Sequence, residues 1–532
     1  MSQNTRNRGG RPATPNTSAT GARLADALAH HQAGRFHEAE AGYRAVLQAQ
    51  PRNADALHLL GVLALQVGQP TAAVELIGRA IENAGAVADY HDNLGSALAA
   101  SGRHREAADS HGRAVRLKPD FAQARFNLGN ALQALGEAGR AAGAFLGALA
   151  LRPDYAKAWY NLGNALRETG HTDGAVTALD RAVALAPGMM EAHTNLGDAL
   201  AVLGRLDAAV ARHRAAVALQ PDDATAWYNL GAALQQNNAY EEAEIAYREA
   251  LRRAPRHFGA LNNLGSVLKR LGRPEQAEAC HRQALDLRPD FVEALYNLGN
   301  ALQAQGRIKE AQACYEDVLE RNPDLATASH NLSLLALRHG DLERGWYGYD
   351  RRFAAREALP DRHVAAPPWQ GEALGGGTLL IWREQGVGDE ILFASCYADA
   401  IARAGGPVVI EADPRLVPLL ARSFPDATVR AESCDDAGNE TIEPPDCAAQ
   451  VPAGTLPRLL RGGLDRFPAR ASWLVAEAER ARAWAERLAG LGPGLRVGIG
   501  WRSSLMTQER KGAYTTLEAW APVFAVAGVH FV

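Results

Sequence analysis

The stretch AKAWYNLGNALRETGHTDGAVTALDRAVALAPGM, residues 156–189, decides how most of this chain folds. Trp159, Leu162 and Leu166 recur at helical spacing, Gly170 interrupts, and Ala175, Leu179 and Ala182 recur before Pro187. The pattern predicts a helical hairpin, in which an apolar stripe faces a partner helix, the glycine ends the first helix and the proline ends the second. Gly163 and Ala175 are small where the two helices must approach closely, so leucine at either position is expected to overpack the pair.

Working outward, the triplet Asn-Leu-Gly returns every 34 residues, beginning at Asn93, Asn127, Asn161, Asn195, Asn229, Asn263 and Asn297, with degenerate copies at Leu59 and Asn331. Prolines hold one register from Pro51 to Pro323, with Gly85 filling the single gap. Between the helices the residue is glycine from Gly34 to Gly340 except at Asn238, and asparagine is the residue that best replaces glycine in left-handed backbone. A 34-residue period is the signature of tetratricopeptide repeats. The spacing predicts nine repeats over about 20–325 and an atypical terminal hairpin over 326–357. Hairpins stacked in this way wind into a superhelix whose concave surface suits an extended peptide.

Bulk numbers exclude several alternatives. Hydrophobic residues make up 47% and charged residues 22%, as in a globular protein. With 56 basic against 60 acidic residues, a net charge of −4 and no Lys/Arg block, nucleic acid is not an expected partner. No run reaches the ~18 apolar residues of a membrane helix, and the start MSQNTRNRGGRPATPNTSAT lacks the apolar core of a signal peptide, so a cytoplasmic protein with a disordered polar leader is expected. Five cysteines without a C-x-x-C pattern predict neither a disulfide framework nor a structural zinc site, and no metal is expected.

After DLERGWYGYDRRF the repeat register fails, and from Thr378 short apolar runs alternate with amphipathic ones. TLLIW, PVVIEA and TVRA read as strands, ILFASCYADAIARA and PRLVPLLARSF as helices, and a weak strand and helix follow around 448–461. This order predicts a parallel α/β sheet. A later helix, AEAERARAWAERLAG, leads to a new strand, LRVGIGW. The expected division is a leader at 1–19, a repeat superhelix at 20–357, a linker at 358–377, an α/β domain at 378–493 and the start of a second, incomplete one at 494–532. Because VHFV at the end reads as only the second strand of that second unit, the chain is expected to be a fragment or a truncated version of a larger protein.

Open parallel sheets bind ligands at the carboxyl ends of their strands, which singles out two turns. In REQGVGDE, Gly386 and Gly388 are expected to let the chain turn tightly, while Glu384, Asp389 and Glu390 would repel a pyrophosphate. No G-x-x-x-x-G-K-[ST] loop is present. In WRSSLMTQERKGAYTT, Arg502, Arg510 and Lys511 with Ser503, Ser504 and Thr507 supply what a diphosphate leaving group needs, or alternatively form a solvated basic loop.

On the segments GWYGYDRR, PPWQGE, EQGVGDEILF and VGIGWRSS, the chain resembles bacterial tetratricopeptide proteins that carry a heptosyltransferase-like glycosyltransferase domain. The repeat half resembles that of O-linked N-acetylglucosamine transferases. The resemblance implies an α-solenoid followed by an α/β Rossmann-like half of the two-domain GT-B fold. It also implies Asp389 as general base and donor phosphates on Arg502, Ser503, Ser504, Arg510 and Lys511; Glu384 and Glu390 are weaker candidates for base or acceptor contact. A nucleotide sugar would be a substrate, and no cofactor is implied. Asp389 alternatively caps the helix that follows. The resemblance further implies that Asn93, Asn127, Asn161, Asn195, Asn229, Asn263, Asn297 and Asn331 hold a peptide main chain, which an amide suits by offering both donor and acceptor; alternatively they hold the helix pairs together. An adaptor without catalysis, binding a partner protein, is the competing expectation.

Overall fold

The computed structural model describes residues 17–355, 366–384, 386–432, 447–470, 472–497, 517–526 and 528–531. Paired helices run from Thr17–Gln32 with Phe36–Ala49 to Ala326–Arg338 with Leu342–Tyr349, each pair 34 residues after the last. In the 156–189 repeat they are Ala156–Glu168 and Thr172–Leu185. Gly170 adopts φ +78°, its N–H donates to Arg167 O at 3.1 Å, and His171 N–H donates to Leu166 O at 2.9 Å. These bonds satisfy the carbonyls that a helix end leaves open, and they require left-handed backbone at one residue. Asn238 adopts φ +59° in the same place, as the sequence predicts.

The glycine of each Asn-Leu-Gly triplet is a socket. A Cβ on Gly163 would lie 2.5 Å from Leu179 Cγ, so only glycine admits the buried Leu179 side chain of the second helix. His111 fills the socket at Gly95, Phe145 that at Gly129, Tyr247 that at Gly231 and Tyr315 that at Gly299. Ala158, Ala165, Ala175 and Ala182 are fully buried around it, which packs the helices closely at little cost in side-chain entropy.

The chain divides into two compact units, Met1–Pro255 and Arg256–Val532. Among its described residues the first holds helix pairs of the repeats only. The second holds the last helix pairs and a four-stranded parallel sheet of β1 (Thr378–Trp382), β2 (Val408–Ala412), β3 (Thr428–Ala431) and β4 (Cys447–Pro452), in the order β3-β2-β1-β4. Central β1 is apolar from Leu379 to Trp382, and Leu379, Leu380 and Ile381 are fully buried, as expected of a parallel strand covered on both faces. Tyr349 from the last helix pair and Trp369 share one core with Leu379, Ile381, Phe393, Tyr397, Ile410 and Leu456. Trp369 N–H donates to Gln450 O at 2.7 Å and Gln450 N–H to Pro367 O at 2.9 Å, so the segment before β1 runs along β4.

The helix expected over ILFASCYADAIARA forms in two pieces, Val387–Phe393 and Tyr397–Ala404, joined by a 3-10 turn. A separate parallel pair joins β5 (Leu495–Val497) to β6 (Val529–Phe531). Among the described residues, no helix is long and apolar enough to cross a membrane.

Candidate functional site

Strand order reverses between β1 and β4, because the chain passes from β3 on one flank to β4 on the other. In open α/β sheets this switch point opens a crevice at the carboxyl ends of the strands. Here the residues that follow β1 and β4 meet across it. Glu384 accepts from Arg352 Nε at 2.6 Å and Nη2 at 2.7 Å, and from Gly454 N–H at 2.5 Å. Arg352 also donates to Tyr349 O, Asp350 Oδ1 and Thr455 Oγ1, and its guanidinium lies 4.7 and 4.3 Å from the rings of Tyr349 and Phe353. The Arg352 and Glu384 side chains are 1% and 2% exposed. Burial opposes the charge on Arg352, but the Glu384 carboxylate outweighs it and raises the pKa. Glu384 is therefore a buried ion-pair partner here and not a second solvent-facing carboxylate.

The acidic turn is built differently from expectation. Gly386 occupies the N-cap position with φ −70° and ψ 166°, and neither it nor Gly388 adopts left-handed backbone. A Cβ on Gly388 would meet nothing within 4 Å, and one on Gly386 only Asp389 Oδ2 at 3.7 Å. These glycines are thus not demanded by a tight turn; they leave the approach to Asp389 open. Asp389 does not cap the helix, since it stands inside the first turn. Its carboxylate is exposed and makes no hydrogen bond or ion pair among the described residues.

Around Asp389 the other charges are fixed. Glu390 is buried, and both of its oxygens accept the Asp413 N–H at 3.1 and 3.2 Å. Its pKa is pushed up by burial. Arg383 lies 3.2 Å from Glu390 and 2.6 Å from Glu432, at the ends of β1 and β3. Asp413 is held by Arg415 at 2.8 and 2.9 Å, which keeps its carboxyl well below the usual carboxylate range. Arg502, Ser503, Ser504, Arg510 and Lys511 lie outside the described residues.

In the repeats, all eight asparagines of the column are half-buried. Asn161 Nδ2 donates to Asn130 Oδ1 at 2.7 Å, Asn195 Nδ2 to Asn164 Oδ1 at 2.7 Å, and Asn331 Nδ2 to Asn300 Oδ1 at 3.0 Å. Asn127 reaches Asp92 at 3.1 Å, Asn297 reaches Asn262 at 3.0 Å and Asn93 lies 2.8 Å from His58 Nε2. Each of these amides thus ties one repeat to the one before it. Among the described residues, Oδ1 of Asn161, Asn195 and Asn297 accepts no hydrogen bond. Asn263 Oδ1 receives a long bond from Asn262 at 3.5 Å.

Sequence reasoning missed Arg352 and Gly454. The only signal for the first was a pair of arginines after an aromatic run at the failing edge of the repeat, and for the second a glycine just past a weak strand. Among the described residues, no group of three or more His, Cys, Asp or Glu side chains is placed to hold a metal ion.

Profiles described as Tetratricopeptide repeat match residues 30–94, 128–189, 160–212, 224–257, 257–320 and 296–358, and one described as TPR repeat matches 95–136 and 197–238. Over 211 residues, 37% of its length, the chain is 33% identical to Protein FlbA of Caulobacter vibrioides, and the match spans 35% of that protein. Solved structures similar to it include MamA protein, at 26% identity and TM-score 0.30, covering 32% of this chain and 92% of that one. Another is YrrB, described as a TPR protein with an unusual peptide-binding site, at 24% identity and TM-score 0.33, covering 35% and 97%.

Proposed function

Residues 30–358 are built from tetratricopeptide repeats, and on that premise we propose that the array captures a protein or peptide along its asparagine column. The observation that carries this reading is the division of labour within the amides of Asn161, Asn195 and Asn297: Nδ2 is spent on the preceding repeat, while Oδ1 stays open as an acceptor among the described residues. The acceptors of Asn161 and Asn195, one 34-residue repeat apart, suit main-chain N–H groups of an extended ligand, whatever its side chains. Panning the full chain against a random peptide library tests it. Alanine at Asn161 or Asn195 is expected to weaken a recovered peptide about three- to tenfold each, while stability falls only by the roughly 1 kcal/mol of the lost bond to the preceding repeat and the chain stays folded at the assay temperature. Unchanged affinity, or failure to recover any peptide, overturns the proposal.

A second reading is glycosyl transfer by the α/β part as half of a GT-B enzyme, favoured by an exposed, unpartnered Asp389 at the carboxyl edge of a parallel sheet. In this reading Asp389 takes the proton from an acceptor hydroxyl as that oxygen attacks the anomeric carbon of a nucleotide sugar. Glu384 contributes by fixing the turn through Arg352. The departing diphosphate is assigned to the basic loop carrying Arg502, Ser503, Ser504, Arg510 and Lys511. Asp389→Asn is expected to lower transfer by about a hundredfold or more while nucleotide-sugar binding persists. Full turnover in that variant would leave the array as an adaptor. A cytoplasmic setting, where nucleotide sugars are made, accords with this reading.

A further inference from the structure

We propose that the cleft between the last helix of the array and the turn after β4 is a saccharide-binding site, taking a short neutral oligosaccharide. The inference goes beyond the reading of Asp389 and does not depend on it. A cavity of about 840 Å³ lies between the helix Leu342–Tyr349 on one wall and the segment from Arg458 to Arg466 on the other. That is near the top of the ~300–1,000 Å³ usual for ligand clefts and leaves room for more than one sugar ring.

The chemistry of the walls selects the ligand. Arg344, Arg458 and Arg466 face Asp341, Glu343 and Asp465, so the lining carries no net charge and favours neither a polyanion nor a polycation. Part of this set is already engaged: Asp341 caps the helix by accepting Arg344 N–H at 3.2 Å, and Arg458 Nε lies 2.5 Å from Asp350. Glu343, Asp465 and Arg466 make no ion pair among the described residues. Open acceptors beside an open donor match hydroxyl groups, which donate and accept at once.

Two aromatic side chains complete the cleft. Tyr347 is 77% exposed and also lines an adjoining cavity of about 330 Å³. Exposure of so large a ring on a helix whose other face packs in the core needs a reason. Trp346 is half-buried and lines the same cleft. An aromatic face pairs with the apolar C–H face of a pyranose. Gly462 and Gly463 on the opposite wall present no side chains to obstruct a ring.

The site also has a route to the sheet. Arg458 pairs with Asp350, Asp350 with Arg352 at 3.0 Å, and Arg352 with Glu384 at the end of β1. An occupant touching Arg458 therefore sits three ion pairs from the turn that carries Asp389.

Saturation-transfer NMR on the full chain tests the proposal, with maltotriose, cellotriose and chitotriose as probes. At least one is expected to receive saturation on its ring C–H protons. Its affinity should fall about five- to tenfold in Tyr347→Ala and again in Asp465→Asn with Arg466→Gln, while Asp389→Asn leaves it unchanged. Tyr347 and Asp465 are exposed, so these variants should keep the wild-type unfolding midpoint. No saturation transfer to any of the three overturns the proposal, as does binding that Tyr347→Ala leaves intact. Capture of a mixed-charge decapeptide in the cleft, with the sugars excluded, would overturn it in favour of a peptide site.

Discussion

His281 in the repeats and Arg352 beside the sheet are both buried polar side chains, yet the surroundings treat them in opposite ways. His281 fills the socket at Gly265, with Nδ1 3.1 Å from Asn262 Oδ1 and Nε2 without a hydrogen-bond partner among the described residues. The same position holds Tyr43, Ile77, His111, Phe145, Leu179, His213, Tyr247 and Tyr315 in other repeats, all of them buried. What the repeat requires there is volume, supplied against a glycine in every case but Tyr43, which faces Ala27, and a polar ring is tolerated where a neighbour takes its polar atom, as Asp92 does for His111 at 2.7 Å. Arg352 instead keeps its charge in the core and is matched by Glu384, Asp350, Thr455 and a carbonyl. A contact made once must be specified atom by atom, whereas one renewed every 34 residues needs only shape.

The sharpest way to break this comparison is Arg352→Ala. It leaves the Glu384 carboxylate buried beside Gly454 with its main cation gone, which costs about 3–5 kcal/mol. Near-UV circular dichroism against denaturant should show the sheet of the second unit unfolding well before the repeats of the first. Arg352→Met combined with Glu384→Leu removes both charges together and should recover much of the loss. A single variant as stable as wild type would mean that the pair is not what closes the switch point.

The second effect follows from His281. Burial, with Lys269 adding to it, pushes its pKa down to about 4 from an ordinary 6.5. The unfolded chain then binds the proton more tightly than the folded one. Stability from this residue is complete above pH 6.5 and falls as the pH drops towards 4, by up to about 3 kcal/mol. His281→Phe, with the residue that serves at Phe145, should flatten that part of the pH dependence in unfolding midpoints measured between pH 7 and 4.5. An unchanged slope would assign the acid sensitivity to other groups, such as His58 and His213, whose pKa values burial also lowers.

How far each region was legible in the sequence follows from the same contrast. The helices and the left-handed glycines were readable because each is set by residues close in the chain and repeats in register; Gly163 and Ala175 were readable as sites of close approach, but that Leu179 is what fills the space at Gly163 was not. The strands of the sheet were readable singly, from their apolar runs, but the passage of β4 to the far side of β1 is a long-range pairing with no local mark. Arg352 and Glu384 lie 32 residues apart across the point where the period fails, and nothing in either segment names the other. Asp389 was found as a carboxylate at a strand's end. Its alternative role as a cap failed because the helix starts earlier, at Val387, and leaves the cap to a glycine.

The smallest effect sharpens the local side of the comparison. Asn238 holds φ +59°, its N–H donates to Gln235 O at 3.1 Å, Ala239 N–H donates to Leu234 O at 2.9 Å, and its Oδ1 accepts from Tyr240 Oη at 2.7 Å. Alanine there must enter left-handed backbone without that side-chain bond, at about 1 kcal/mol. Glycine enters freely but loses more entropy on folding, so Asn238→Gly should be close to neutral. Because each repeat contacts only its neighbours, the Asn238→Ala loss should appear as faster amide hydrogen exchange in residues 224–253 and leave the distant 54–83 helix pair unchanged. Equal exchange in the alanine and glycine variants would show that the turn relaxes out of the left-handed region. The repeat would then depend on socket and volume alone, with no contribution from backbone conformation at its corner.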